Sequence, residues 1–126
     1  MSYFKGSGNP CDILCYVEGH LFLIETKSLH GKTFNLNFAQ KERLKSIHVE
    51  GVHPLLVTWF VDYNKVLAFP ITSVEQMEKD GLKSIHIDTY MNYPLIDVPS
   101  VKKRVFMDSD YKCLLEYYKK LDEEVK

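Results

Sequence analysis

Two apolar segments joined by Glu18-Gly19 constrain this chain more than any other feature of its sequence. The first segment runs from about Cys11 to Val17, and the second runs from about His20 to Lys27. A short polar loop that ends in glycine between two such segments is typical of a tight β-hairpin turn. If Glu18-Gly19 is the whole loop, the residues on either side of it pair, and the register of the hairpin is fixed.

This register places two carboxylates opposite each other. Counting back from the turn, Asp12 pairs with Glu25, and directly opposed Cβ atoms lie about 4.5–5.5 Å apart. Like charges at that distance repel each other, and a divalent cation between them reverses the sign of the interaction. Lys27 follows Glu25 by two residues, so it points to the same face of the strand. Two carboxylates and one ammonium on one face can hold a hard metal ion and orient a water molecule.

The cofactor predicted from these residues is Mg²⁺, with Mn²⁺ as a substitute. Mg²⁺ prefers oxygen ligands and commonly takes one or two protein carboxylates, with water and substrate phosphate completing its shell. We therefore predict Asp12 and Glu25 as metal ligands, with the backbone carbonyl of Thr26 as a third. Lys27 would orient the water or stabilise the transition state of phosphodiester hydrolysis. The alternative is that Lys27 forms a purely structural salt bridge with one of the carboxylates.

Gln40 is the candidate fourth catalytic residue. We predict a helix from about Phe38 to His48, with Asn37 as its N-cap. On that helix Gln40 shares one stripe with Leu44 and Ile47, which should face the sheet. A glutamine in a buried stripe needs a hydrogen-bond partner, which the hairpin site would supply. A position on the exposed surface of the helix is the alternative for Gln40.

The rest of the chain predicts further strands and helices in a single domain. The predicted elements are a short strand at 33–36, a buried strand Pro54–Phe60, a strand Lys65–Phe69, a helix opened by the capping box Thr72–Glu75 and ended by Gly81, a short edge strand at 85–87, and a helix from Ser109 to about Glu124. Residues 88–107 give no prediction. This order predicts an α/β domain in which helices flank a mixed central β-sheet, with Pro54–Phe60 as a central strand.

Length and composition place the chain among single-domain proteins of a reducing compartment. It has 126 residues, of which 45% are hydrophobic, enough to bury a core. No apolar run approaches the roughly 18 residues of a membrane-spanning helix, and the first residues do not resemble a signal peptide. The three cysteines form no Cys-x-x-Cys pair. We therefore expect a cytoplasmic protein with no membrane partner and no structural disulfide.

Charge alone does not indicate a nucleic-acid binder, because the formal net charge is −1. The distribution is uneven, however. Residues 1–45 carry six basic side chains against four acidic ones. A polyanion should therefore approach the N-terminal part of the chain.

Two short segments of the chain resemble a known nuclease signature. Pro10-Cys11-Asp12, a gap of twelve residues, and then Glu25-Thr26-Lys27 is similar to the PD-(D/E)xK motif. The surrounding sequence narrows the resemblance to RecU-type Holliday-junction resolvases, which include penicillin-binding-protein-related factor A. The segments that carry this narrower resemblance are Lys5-Gly6-Ser7-Gly8, Lys32-Thr33-Phe34-Asn35-Leu36-Asn37 with Gln40, Lys83-Ser84-Ile85, Val98-Pro99, and Asp110-Tyr111 with Leu114.

The resemblance spans roughly residues 5–118 and implies a restriction-endonuclease-like fold and a homodimer. It also implies Mg²⁺-dependent nicking of four-way DNA junctions. The whole chain, 1–126, would be one nuclease domain. It would consist of a lead-in at 1–9, a catalytic core at 10–70, and a C-terminal helical and edge region at 71–126. Asp12 and Glu25 would bind the metal, Lys27 would be the catalytic lysine, and Gln40 matches the glutamine of the family's helix. The residues expected at the DNA are Lys5, Ser7, Lys32, Lys41 and Arg43.

The chain also departs from that family. RecU-type proteins carry a helix before the motif and a projecting stalk, and we expect this chain to be a short form without either. Three functions therefore remain open from the sequence. The first is resolution of branched DNA, the second is DNA binding by an inactive domain of the same fold, and the third is cleavage of other DNA structures such as flaps, ends or restriction sites.

Overall fold

The structure is a computed structural model that describes residues 2–5, 13–88, 92–98 and 108–125, with side chains placed for 13–88, 92–98 and 109–124. The strands are β1 Ser2–Lys5, β2 Ile13–Val17, β3 His20–Leu29, β4 Thr33–Asn35, β5 Val52–Phe60, β6 Lys65–Pro70, β7 Ser84–His86 and β8 Ile96–Val98. The helices are α1 Lys41–Lys45, α2 Ile71–Lys79 and α3 Asp108–Val125. A 3₁₀ turn at Val61–Tyr63 joins β5 to β6.

The β2–β3 hairpin has the predicted register. Val17 pairs with His20, and the ladder continues without a slip to Ile13 and Ile24. Glu18 and Gly19 both take positive φ values, 48° and 83°. Two consecutive left-handed residues are what a two-residue loop needs to match the twist of its strands. Glycine meets this need without strain, which is why the pattern indicated the turn correctly.

Six strands form one mixed sheet in the order β1-β2-β3-β5-β6-β8. β3 and β5 pair in parallel over nine residues, whereas the other neighbours are antiparallel. β5 therefore lies inside the sheet, as its nearly continuous apolar sequence predicted. Ser2–Lys5, which fall within the predicted lead-in, form β1 and pair with β2.

Each face of the sheet covers its own hydrophobic core. β3 shows the division, since Leu23 belongs to one core and its neighbours Phe22 and Ile24 belong to the other. The first core also contains residues of β4, α1, α2 and β7, including Leu44. The second core contains the buried residues of α3. The described residues thus form a mixed α/β fold with helices on both faces of a mixed sheet, the coarse class that the element order predicted.

Helix α1 is much shorter than the predicted span of 38–48. It covers only Lys41–Lys45, and Gln40 rather than Asn37 precedes it. The side-chain oxygen of Asn35 accepts a hydrogen bond from the backbone N–H of Asn37 at 2.8 Å. This local bond offers the backbone an alternative to the helix, a known property of asparagine. Asn37 is therefore not the N-cap of α1.

Helix α2 begins before the predicted capping box. Its first residue is Ile71, and Pro70 occupies the N-cap position without a side-chain hydrogen bond. The hydroxyl of Ser73 instead donates to the carbonyl of Pro94 at 2.6 Å. Ser73 thus ties α2 to the segment before β8. The capping box is wrong because the helix already begins at Ile71, so Thr72 lies inside the helix and not at its N-cap.

The predicted end of α2 at Gly81 is confirmed. The N–H of Gly81 bonds to the carbonyl of Glu78, and the N–H of Leu82 bonds to the carbonyl of Met77. Gly81 has φ of 85°. These two bonds and the left-handed glycine make a Schellman motif.

The C-terminal part adds one strand that the sequence did not predict. β8 lies within residues 88–107 and pairs with β6 at the edge of the sheet. The predicted edge strand near 85–87 is present as β7, but it pairs with β4 in a separate two-stranded sheet. Among the described residues, no helix is long and apolar enough to cross a membrane.

Candidate active site

Glu25 and Lys27 lie on β3 with their side chains in contact. The ammonium nitrogen of Lys27 is 3.0 Å from the carboxylate oxygen Oε2 of Glu25. The Glu25 side chain is 3% exposed, whereas that of Lys27 is 35% exposed. The pair is therefore a buried acid next to a partly accessible cation, on the same face of one strand.

The surrounding sheet explains why Glu25 is buried. Glu25 pairs with Leu56 of the interior strand β5, and Lys27 pairs with Thr58 of the same strand. Leu23, two residues before Glu25, packs in the same core as Leu56 and as Leu44 of α1. α1 thus covers the face of the sheet that carries Glu25 and Lys27. A carboxylate in such a place needs a charged or hydrogen-bonding partner, and Lys27 is one.

The predicted partner of Glu25 lies outside the described residues. The observed ladder ends at the pair Ile13 and Ile24, one step before Asp12 and Glu25. The described part of the hairpin has the same register that was used to predict that Asp12 and Glu25 lie opposite each other. Thr26, whose carbonyl was predicted as a ligand, lies on β3 and pairs with Val57 of β5.

Gln40 stands directly before α1, on the covered face of the sheet. Its backbone has φ of −95° and ψ of 4°, and its side chain makes no capping hydrogen bond. The side chain is half-buried. Its backbone carbonyl accepts the N–H of Leu44, which anchors the helix in the core. Gln40 therefore lies at the start of α1, which packs on the sheet face that carries Glu25, although the predicted longer helix is absent.

The residues predicted at the DNA differ in their surroundings. Lys32 and Arg43 are exposed to solvent. The ammonium of Lys41 is 2.8 Å from Glu78 and its side chain is 13% exposed, so contact with a phosphate would require breaking that ion pair. Lys5 ends β1, where its backbone pairs with Ile13. Ser7 lies outside the described residues.

Two of the three predicted Mg²⁺ ligands, Glu25 and Thr26, lie within the described residues. Glu25 is a buried carboxylate, and oxygen donors of this kind suit a hard cation. In the described ranges, no three His, Cys, Asp or Glu side chains are grouped as a metal site. The two-carboxylate site of the prediction needs only one further acid, Asp12.

The sequence did not predict an ion-pair network that joins α1 to α2. Glu78 accepts from Lys41 at 2.8 Å and from Lys45 at 2.9 Å. The hydrogen bonds from Lys41 and Lys45 hold the pKa of Glu78 below its ordinary value. The i, i+4 spacing of the two lysines places them on one side of α1, which was the available signal. Their partner is more than 30 positions away and could not be identified from spacing.

The sequence also did not predict a cluster of histidine and tyrosine rings at the start of β3. His20 Nδ1 lies 2.8 Å from His53 Nε2, and the His53 ring stacks on Tyr118 of α3 with centroids 3.7 Å apart. Burial, with a contribution from His20, lowers the pKa of His53 to about 4. No histidine spacing in the sequence indicates this contact, because the parallel pairing of β3 with β5 creates it.

Comparison with protein-family models and with curated proteins finds no match to this chain.

Proposed function

We propose that this chain is a Mg²⁺-dependent endodeoxyribonuclease that cleaves branched DNA, with four-way junctions as its substrate and a restriction-endonuclease-like sheet as its scaffold. The observation that most supports this proposal is the Glu25–Lys27 pair. It combines a carboxylate that is 3% exposed with an ammonium that solvent can reach, 3.0 Å apart. Both groups stand on the part of β3 that pairs with the interior strand β5, which fixes the positions of their backbones.

Each residue has a role in this proposal. Asp12, Glu25 and the carbonyl of Thr26 would hold the ion, which would neutralise charge on the phosphate when bound. Lys27, held in place by Glu25, would orient the attacking water or stabilise charge that develops on the phosphate oxygens. The α1 roof over this face would exclude bulk water from one side and strengthen the interactions of these charges.

The proposed DNA surface combines Lys5, Ser7, Lys32 and Arg43 with Lys27. Lys41 can contact DNA only if its ion pair with Glu78 breaks. A homodimer with two-fold symmetry would present two such sites, which matches the two symmetric cuts that a junction requires.

The test is cleavage of a synthetic four-way junction by the full chain, with Mg²⁺ and with EDTA. We expect cutting only with the metal. Glu25→Gln should abolish it, because it removes an anionic ligand of the metal. Lys27→Met should slow it by about 10²–10³-fold, because it removes the cation that would stabilise charge on the phosphate oxygens. The matched control is Lys65→Met, which removes a lysine of β6 from an exposed ion pair with Asp97 of the edge strand β8. This control should cut normally.

Other outcomes would decide against the proposal in defined ways. Junction binding that weakens steeply with salt, without cutting in Mg²⁺ or Mn²⁺, would favour the inactive DNA-binding domain, for which Glu25–Lys27 is a structural pair. Faster cutting of flaps or linear duplex would reassign the substrate. The absence of any salt-dependent DNA binding would exclude a role on DNA.

A further inference from the structure

A groove lies beside the start of β5, and neither Glu25 nor Lys27 lines it. The α1–β5 connection, the start of β5, the start of α2 and the second half of α3 form its walls. Its volume is about 470 Å³. Its β5 residues Val52 and His53 pair with the start of β3, whereas Glu25 pairs further along the strand. The groove is therefore separate from the candidate active site.

Its surface is mainly apolar and open at the rim. Val52, Pro54, Pro70 and Ile71 contribute to the lining. Two rim residues, Val49 and Leu121, are 61% and 38% exposed, which places them among the few large hydrophobic side chains of the described chain that face solvent. Contiguous exposed apolar surface of this kind is typical of an interaction site.

One wall of the groove is held rigid by stacked rings. His53 and Tyr118 both line the groove, and their planes are 14° from parallel with centroids 3.7 Å apart. The ring of His53 is also fixed by its 2.8 Å contact with His20. A preformed wall lowers the entropy lost when a partner binds.

Lys119 and Lys120 lie on α3 between the lining residues Tyr118 and Leu121, but the lining itself carries only an acidic charge. The lining contains Glu75 and no lysine or arginine. Asp122, which follows Leu121, lies 3.8 Å from His20. Burial, together with the nearby Glu124 carboxylate, raises the pKa of Tyr117, another lining residue. Glu75 would therefore repel an anionic group bound in the groove and attract a cationic one.

We propose that this groove docks a short segment of a partner protein that carries apolar side chains flanked by lysine or arginine. The apolar side chains fill the groove, and the basic ones meet Glu75, Asp122 and Glu124. This pattern resembles recognition of an amphipathic segment in a hydrophobic groove. A shallow rim with two exposed apolar side chains suits a chain segment better than an enclosed small ligand. The proposal does not depend on nuclease activity.

The test uses two short synthetic peptides with identical leucine positions, one carrying lysine and the other glutamate at the remaining positions. We expect the full chain to bind the Leu/Lys peptide and not the Leu/Glu peptide, measured by fluorescence anisotropy. Glu75→Lys should weaken binding at least about tenfold, because it reverses a charge beside the bound cation. The control Glu116→Lys makes the same change on the exposed face of α3, outside the groove.

A second pair of variants tests the apolar contact. Val49→Asp should weaken Leu/Lys binding to a similar extent, whereas Tyr63→Asp, at an exposed apolar residue outside the groove, should not. Equal losses in Glu75→Lys and Glu116→Lys would show non-specific attraction and overturn the proposal. The groove would instead be assigned to a small ligand if two results were obtained. The Leu/Lys peptide would not bind, and a small apolar dye would bind to the wild type but not to Val49→Asp.

Discussion

At the scale of the residue, Glu25 and Lys27 form a pair in which the two charges are buried to different extents. The acid is 3% exposed and the amine 35%. Removing the amine leaves a carboxylate in the core without its nearby cation, which is the costly way to break a buried ion pair. Removing both charges avoids that cost.

We therefore predict that Lys27→Met lowers the free energy of unfolding by about 2–3 kcal/mol. The double variant Glu25→Gln/Lys27→Met should recover most of this loss, as measured by urea denaturation. Lys65→Met, which breaks an exposed pair with Asp97, should change stability by less than about 1 kcal/mol. A double variant no more stable than Lys27→Met would show that the buried charge is not the source of the loss.

His53 makes stability depend on pH. Burial and the neighbouring His20 lower its pKa from 6.5 to about 4, whereas Asp122 acts in the opposite direction. Between these pH values the unfolded chain binds a proton that the folded chain does not, so stability falls as pH drops from about 6.5 towards 4. Since His53 is only half-buried, the expected loss is about 1–2 kcal/mol.

This prediction is tested by measuring thermal unfolding of His53→Gln from neutral pH to pH 4. The variant should lose less stability over that range than the wild type. His48→Gln replaces an exposed histidine and should follow the wild-type curve. Parallel curves for wild type and His53→Gln would assign the acid sensitivity to other groups.

The candidate site was partly predictable at this scale. Strand alternation placed Glu25 and Lys27 on one face, because the period of two does not depend on the rest of the fold. The contact of His20 with His53 was not predictable, because it arises from pairing between residues 33 positions apart.

At the scale of the element, local signals worked where the backbone conformation itself demanded a residue type. Gly19 and Gly81 both take positive φ values, and the sequence indicated both breaks. The start of α2 was missed because the helix begins at Ile71, before the predicted cap Thr72, and the start of α1 because Asn35 bonds to Asn37. At α1 the backbone N–H of Asn37 takes a local side-chain partner, and the sequence does not say whether such a bond or the helix prevails.

We predict that Gly81→Ala lowers the free energy of unfolding by about 1 kcal/mol. A Cβ atom at Gly81 meets no atom within 4 Å, so the loss comes from the left-handed backbone and not from a clash. Lys79→Ala, in the last turn of the same helix, should change stability much less. A loss in Lys79→Ala equal to that in Gly81→Ala would place the effect in the helix and not in its C-terminal cap.

At the scale of the whole molecule, one sheet separates two cores. Leu44 of α1 is fully buried in the first and Leu114 of α3 in the second. β3, β5 and β6 contribute side chains to both. The two cores therefore cannot unfold independently, since losing either exposes one face of the shared strands to water.

Leu44→Ala and Leu114→Ala should each lower stability by about 2–5 kcal/mol and leave a single unfolding transition. Far-UV circular dichroism reports both cores, whereas the fluorescence of Trp59, the one tryptophan, reports the second. The two signals should coincide in both variants. Leu121→Ala, at a partly exposed position, is the control and should cost much less. Separate midpoints would show that the cores are independent.

The parallel pairing of β3 with β5 also sets the order in which the chain can fold during synthesis. Leu21 pairs with Val52 and Leu29 with Phe60, so every contact in this ladder waits for a strand made 31 positions later. Until then the apolar run of β3 can pair only with β2, leaving its other edge open. Non-local ladders of this kind slow folding and leave unpaired edges exposed to other chains. The emerging polypeptide should therefore be most prone to self-association before residue 60 leaves the ribosome.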